Sequence, residues 1–85
     1  MLMKTIKYPL ATEKSIRLME AENKLIFVVD KKASKQDIKK AIEETFKAKV
    51  KNVNTLVDPS GKKRAYITFE DESPAIDIAT QMGMM

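Results

Sequence analysis

Between Phe46 and Phe69, six of the chain's sixteen Lys and Arg residues flank two strand-like segments joined by a tight turn: Lys47, Lys49, Lys51, Lys62, Lys63 and Arg64. The only acid within that stretch is Asp58. Ammonium groups give phosphates position-tolerant charge, and a guanidinium can hold a phosphate through two parallel hydrogen bonds or stack on a base. Tyr66 alternates in phase with Arg64, which sets an aromatic ring beside a cation on one outward face. That combination suits phosphate neutralisation and base stacking, the chemistry of RNA binding.

The rest of the chain sharpens the contrast. Residues 1–64 carry all sixteen basic groups against eight acids, a local net of +8, whereas residues 65–85 carry four acids and no base. One face is therefore expected to meet a polyanion and the tail to keep different company. A plain Lys/Glu-rich solvated surface is the alternative, but such surfaces usually mix the two signs along the chain.

Catalysis is not expected. With no histidine and no cysteine the chain lacks the usual general base and the soft metal ligands, so no metal, cofactor or small-molecule substrate is assigned. Glu70-Asp71-Glu72 reads as favourable charge before a helix N-terminus rather than as a magnesium site. The glycines are Gly61 and Gly83 alone, too few for a phosphate-cradling loop. Absence of cysteine makes a cytosolic setting the default. The opening Met1-Leu2-Met3-Lys4 is too short for a signal peptide, and the longest apolar run, Leu25 to Val29, is far short of a membrane span. The 85 residues are expected to form one domain, residues 1–85, with a core just large enough to fold without staples.

Period and punctuation place the residues on elements. Lys4 to Tyr8 reads as a short edge strand ended by Pro9, and Thr12 caps a helix with Ile16 and Met19 on its apolar side. Leu25 to Val29 is apolar at both parities, which predicts a central strand with helices on both sides. Ser34 and Asp37 start the clearest helix, with Ile38, Ala41, Ile42, Thr45 and Phe46 on one face. Val53, Thr55 and Val57 alternate inward on the next strand, Asp58-Pro59-Ser60-Gly61 turns the chain, and Ala65, Ile67 and Phe69 return. Ser73 caps the last helix with Pro74 at its first position; Ala75, Ile78, Ala79 and Met82 form its stripe before Gly83. The order β-α-β-α-β-β-α predicts an α+β fold with a mainly antiparallel four-stranded sheet and helices packed on it. Strand order is not readable.

Two resemblances follow. Lys62 to Phe69 resembles the second ribonucleoprotein motif of RNA-recognition-motif domains, with Ile26-Phe27-Val28 as a loose partner motif. Against that reading, Phe69 alternates to the opposite face from Tyr66, leaving one platform aromatic, and no strand follows the last helix. A second resemblance covers nearly the whole chain, from Lys4 to Met82. Tyr8-Pro9-Leu10-Ala11-Thr12-Glu13-Lys14, Asn23 to Val29, Ile38 to Val50, Val53-Asn54-Thr55 and Lys63-Arg64-Ala65-Tyr66-Ile67-Thr68 are similar, in order, to the universal large-subunit ribosomal protein twenty-three family. The departure is Phe69, where that signature commonly has Leu. No basic N-terminal extension is present and only Asp58 to Gly61 separates the hairpin strands, so the chain is most like archaeal members and no tunnel-lining role is assigned.

The resemblance implies a non-enzymatic constituent of the large ribosomal subunit, cytoplasmic, binding large-subunit ribosomal RNA beside the exit of the polypeptide tunnel. Ribosomal protein twenty-nine is the implied neighbour and the signal recognition particle an implied docking factor. The residues expected at RNA are Lys7, Tyr8, Thr12 and Lys14 near the first helix start, Lys47, Lys49, Lys51 and Asn54 on the first hairpin strand, and Lys62, Lys63, Arg64 and Tyr66 on the second. Lys63 and Arg64 together are expected to carry much of the salt dependence, while Glu70 to Asp77 should face away from RNA. A protein-interaction module using its sheet edge or helices, with Met82, Met84 and Met85 as a sticky end, is the alternative from a different class.

Overall fold

The computed structural model describes residues 5–81. Its elements are β1 (Ile6–Pro9), α1 (Glu13–Glu22), β2 (Lys24–Val29), α2 (Lys35–Phe46), β3 (Val50–Val57), β4 (Lys63–Phe69) and α3 (Ala75–Gln81). Lys4, Met82, Gly83, Met84 and Met85, each given a role in the sequence reading, lie outside the described residues. The strands form one antiparallel sheet in the order β1-β2-β4-β3, so the α+β class and the element order stand as expected.

Alternation decides which residues enter the core. Leu25, Phe27 and Val29 of β2 share a face with Ala65, Ile67 and Phe69 of β4 and with Val53 of β3. That face meets Met19 of α1, Ile38 and Ile42 of α2, and Ala75, Ile78 and Ala79 of α3 in one contiguous cluster. All three helices thus contribute to the cluster on a single face, and the expectation of helices on both sides of β2 is corrected. Ile26 and Val28 are only 4% and 3% exposed, yet they belong to the other face and lie outside that cluster.

The sheet itself supplies their cover. Val28 is in register between Tyr8 and Arg64, Ile26 is in register with Tyr66, and the Leu10 N–H bonds to the Ile26 carbonyl at 2.9 Å. Directly opposed side chains have Cβ atoms about 4.5–5.5 Å apart, close enough for an arginine stem or a phenol ring to cover a branched neighbour. Sheltering each of the two stabilises the fold by about 1.5–3 kcal/mol. An apolar run at both parities therefore signals burial on both faces but does not say what does the burying.

The first two helices begin as their sequences dictate. Thr12 Oγ1 accepts the Ser15 N–H at 3.2 Å while Ser15 Oγ accepts the Thr12 N–H at 2.8 Å. Ser34 and Asp37 exchange the same pair of bonds at the start of α2. Thr45, expected on the buried face of α2, is exposed.

The start of α3 departs from expectation. Ser73 Oγ accepts the Lys49 N–H at 2.9 Å, and the acceptor for the Ala75 N–H is Asn23 Oδ1, 2.6 Å away. Asn23 ends α1 in the left-handed region, at φ 54, where Asn is tolerated better than most residues. From there its Nδ2 donates to the carbonyls of Phe69 and Glu70, both at 3.1 Å, and reaches that of Ser73 at 3.4 Å. Its own carbonyl accepts the Phe69 N–H. One side chain therefore ties the end of α1 to the end of β4 and caps α3.

At the opposite end of the sheet, Asp58 builds the hairpin turn. Gly61 N–H bonds to Asp58 O across Pro59 and Ser60, and Gly61 lies at φ 86, where its lack of Cβ removes the strain. Asp58 N–H bonds to Lys62 O, and Asp58 Oδ1 accepts from the Ser60 hydroxyl at 2.6 Å and from the N–H groups of Ser60 and Lys62 at 3.0 Å. The Ser60 hydroxyl bond is the main influence holding the Asp58 carboxyl below its ordinary value; partial desolvation opposes it, and the Lys62 N–H, Arg64 and the Ser60 N–H reinforce it. The Asp37 carboxyl is lowered as well, chiefly by its hydrogen bonds with Ser34.

Replacing Asn23 by Gly keeps the left-handed cap and deletes the side-chain bonds, so a loss of about 2–4 kcal/mol is expected in urea unfolding. Lys47→Gly, at the other left-handed position (φ 53), should be neutral or stabilising by up to about 1 kcal/mol; equal losses for both variants would rule out the tying role of Asn23. The lowered carboxyls also set an acid limit. Their folded-state values lie below the unfolded one of about 4, so their stabilisation is complete above that pH and disappears as pH falls through the folded values. Urea midpoints should be flat above about pH 5 and drop below about pH 4. Asp58→Asn should shrink that drop, and an unaltered profile would show the turn carboxylate to be uncoupled from folding.

Candidate RNA interface

The sheet face opposite the helices is a small grid. Read across β1, β2, β4 and β3, one row is Tyr8, Val28, Arg64 and Leu56; the next carries Ile26, Tyr66 and Asn54; a third carries Lys24, Thr68 and Asn52. Arg64 and Tyr66 lie on one face, as alternation requires, and Asn54 projects exposed beside Tyr66. Phe69 faces the core at 1% exposure, so it is unavailable for stacking and the RNA-recognition-motif likeness loses that aromatic.

Tyr8 is the residue whose partners sequence reasoning missed. Counting β4 alone leaves one aromatic on the platform, but a register shift in β1 between Ile6 and Tyr8 brings Tyr8 opposite Val28, in the row of Arg64. Tyr8 is 38% exposed, and its hydroxyl lies 3.3 Å from Lys62 Nζ. The signal was a pairing between β1 and β2, which short-range pattern does not contain.

Arg64 is held rather than loose. Its Nε donates to Asp58 Oδ2 at 3.1 Å, and the Asp58 side chain is 10% exposed against 39% for Arg64. The turn carboxylate thereby orients the guanidinium through one nitrogen, and both terminal nitrogens have no partner among the described residues. A fork in that state is suited to two parallel bonds with a phosphate.

The other hairpin cations do not join this face. Lys63 shares a face with Val29, and its Nζ donates to Ala33 O at 2.6 Å, anchoring the approach to α2. Lys49 pairs with Glu72 at 3.1 Å, so Asp58 is not the hairpin's sole countercharge, a correction to the sequence reading. Lys47 is the left-handed cap of α2 and lines a cleft with Glu72 and Asp77. Lys51 falls at the register shift between Val50 and Asn52, against α2. Lys7 is exposed on β1, and Thr12 and Lys14 sit at the start of α1, where Thr12 is engaged as the cap. The basic hairpin is thus divided: Lys62 and Arg64 remain with the two tyrosines, and Lys47 and Lys49 lie toward the acidic approach to α3.

Comparison with known proteins agrees with the resemblance carried by these motifs. The family model for ribosomal protein L23 matches residues 4–77. The large ribosomal subunit protein uL23 of Methanococcus aeolicus is 49% identical over 79 residues, covering 93% of this chain and 92% of its own. Its counterparts in Methanococcus maripaludis and Methanococcus vannielii are each 47% identical over the same share of both chains. A match over most of the chain, at that identity, establishes that the chain belongs to the ribosomal protein L23 family.

Proposed function

We propose that this chain is a structural constituent of the large ribosomal subunit in the cytoplasm, a single domain that binds large-subunit ribosomal RNA through its helix-free sheet face. The observation that carries the proposal is that face itself: Arg64, Lys62, Tyr8, Tyr66 and Asn54 collect on the one side of the sheet to which the helical core does not extend. Each group has a distinct task. Lys62 supplies charge to phosphates and Arg64 a fork; Tyr66 and Tyr8 offer rings to unpaired bases; Asn54 can bond base edges or ribose 2′-hydroxyls. Lys14 and the start of α1, reached from Tyr8 through Pro9 to Thr12, add a further phosphate position.

The family resemblance supports a finer placement, beside the exit of the polypeptide tunnel, next to ribosomal protein twenty-nine and within reach of the signal recognition particle. Function here is binding without turnover, as membership of a ribosomal protein family implies. The hairpin turn from Asp58 to Gly61 is too short to line a tunnel. The acidic segment from Glu70 to Asp77 is assigned to solvent or to protein neighbours.

The test is binding of the full chain to protein-free Methanococcus large-subunit ribosomal RNA over a range of salt. Each phosphate contact contributes roughly 0.7–0.9 to the log-log slope, so Lys62→Ala with Arg64→Ala should flatten it by about 1.4–1.8. Lys63, expected from sequence to act with Arg64, is left intact because its ammonium donates to Ala33 O. Tyr66→Ala should cost about 1–3 kcal/mol with the slope retained. An unchanged slope in the double variant removes the sheet face from the site, as would protection of Glu70 to Asp77 by the RNA.

A further inference from the structure

A second basic surface lies around the β3 edge from the sheet face. Lys35, Gln36 and Lys39 of α2 and Lys51, Asn52 and Val53 of β3 line a cleft of about 230 Å³. Lys35, Lys39, Lys51 and Asn52 are all exposed. None of the three lysines has an acidic partner among the described residues, whose ion pairs are Arg17–Glu13, Lys24–Glu22, Lys49–Glu72 and Arg64–Asp58.

The arrangement works against the fold. Lys35 and Lys39 are four residues apart, which stacks two like charges about 6 Å apart along the axis of one helix face. Lys35 is also the first residue of α2, where the helix dipole disfavours a cation. Lys51 sits where the β3 register shifts, and such a bulge re-aims a side chain; here Lys51 lines the same cleft. What sets these three apart from other exposed lysines is their convergence on one cleft against the helix's own preference, an arrangement suited to an external anion.

The cleft also continues the proposed interface. Asn52, which borders it, lies in the outward grid two residues from Asn54 on the same strand and opposite Thr68. An RNA strand crossing the sheet face at Tyr66 and Asn54 meets Asn52 next and Lys51 after it.

We propose that the α2–β3 cleft is a second phosphate-binding site, in which Lys35, Lys39 and Lys51 hold the sugar-phosphate backbone of RNA as it wraps round the β3 edge from the sheet face. This rests on the RNA-binding reading above and extends it to residues on the helix side.

The test joins a variant with a footprint. The full chain carrying Lys35→Ala, Lys39→Ala and Lys51→Ala is titrated with salt against protein-free Methanococcus large-subunit ribosomal RNA, alongside the Lys62→Ala, Arg64→Ala variant. In wild-type protein, acetylation of each lysine is measured free, on the RNA and in intact large subunits. The proposal expects the triple variant to flatten the slope by about 2–3, to weaken binding at least tenfold, and Lys35, Lys39 and Lys51 to be protected on the RNA alone. A normal slope for the triple variant, with a flattened one for the double variant, overturns the cleft and leaves the sheet-face reading standing. Normal slopes for both overturn both. Protection in intact subunits but not on the RNA assigns the cleft to a protein neighbour and overturns the proposal, as does full acetylation in every state.

Discussion

Placing the helical core on one face of a four-stranded sheet is the constraint from which the rest of this molecule follows. Two of its strands, β2 and β4, are interior, so the exposed side of an interior strand would put Ile26 and Val28 in water. In a protein with helices on both faces those positions disappear into a second core. Here they are sheltered by residues with an apolar body and a polar end: Tyr8 and Arg64 beside Val28, Tyr66 beside Ile26. The same side chains that complete the fold therefore present phenols and a guanidinium to the outside. On the proposed RNA-binding reading, affinity and stability are coupled at these positions, and an alanine there removes cover as well as contact.

A second consequence is the separation of charge. The loop from Glu70 to Pro74 is fixed at both margins, by Asn23 on one side and by Lys49 on the other, where Lys49 O accepts the Glu70 N–H and Lys49 N–H donates to Ser73 Oγ. Glu72 is thereby placed to pair with Lys49. That exposed pair adds little to stability, but it offsets one cation at the α3 end of β3 and leaves uncompensated charge at Lys62 and around Lys51. The polarity visible as a sequence trend becomes a spatial one because the acidic segment folds back on one part of the hairpin only.

What could be read from the chain depended on how far each signal travels. Ser34 with Asp37, Thr12 before Glu13, and Asp58-Pro59-Ser60-Gly61 between alternating strands act within four residues, and each produced the element it announced. The outward phase of Arg64, Tyr66 and Asn54 was equally legible, since alternation has only two settings. Partners 46 to 52 residues apart in sequence were not: Asn23 reads as an ordinary turn residue, and Ser73 as a plausible cap, until the end of β4 is known to lie beside the end of α1. Lys63 and Arg64 look interchangeable as a basic pair, yet adjacent residues of a strand face opposite sides, and the two ammonium and guanidinium groups end in unlike surroundings. The local pattern of the hairpin pointed only to a class of ligand, RNA, and the likeness to a known family added the ribosomal setting, which no local pattern contains.

The pairing of Arg64 with Asp58 looks at first like a poor choice for a residue proposed to meet RNA, since a carboxylate cancels the charge that attracts phosphate. The pair is partly buried, with Asp58 10% exposed, and it helps to hold the turn as well as the guanidinium. Its effect is on order. Immobilising a long side chain on binding costs about 0.5–1.5 kcal/mol, and an arginine already held through Nε has lost part of that freedom in the free protein. Because Nε is the nitrogen engaged, the two terminal nitrogens keep the geometry of a fork. The hydrogen bond from the Ser60 hydroxyl, and after it that from the Lys62 N–H, hold the Asp58 carboxyl below its ordinary value, so it is ionised and able to orient Arg64 at neutral pH. Long-range attraction is then left to lysines such as Lys62, whose charge Asp58 does not neutralise directly, while Arg64 contributes geometry. A division of labour between a steering cation and an oriented one is what the four-residue turn makes possible, because its single acid sits within reach of Arg64 while the Lys62 ammonium stays exposed beside it.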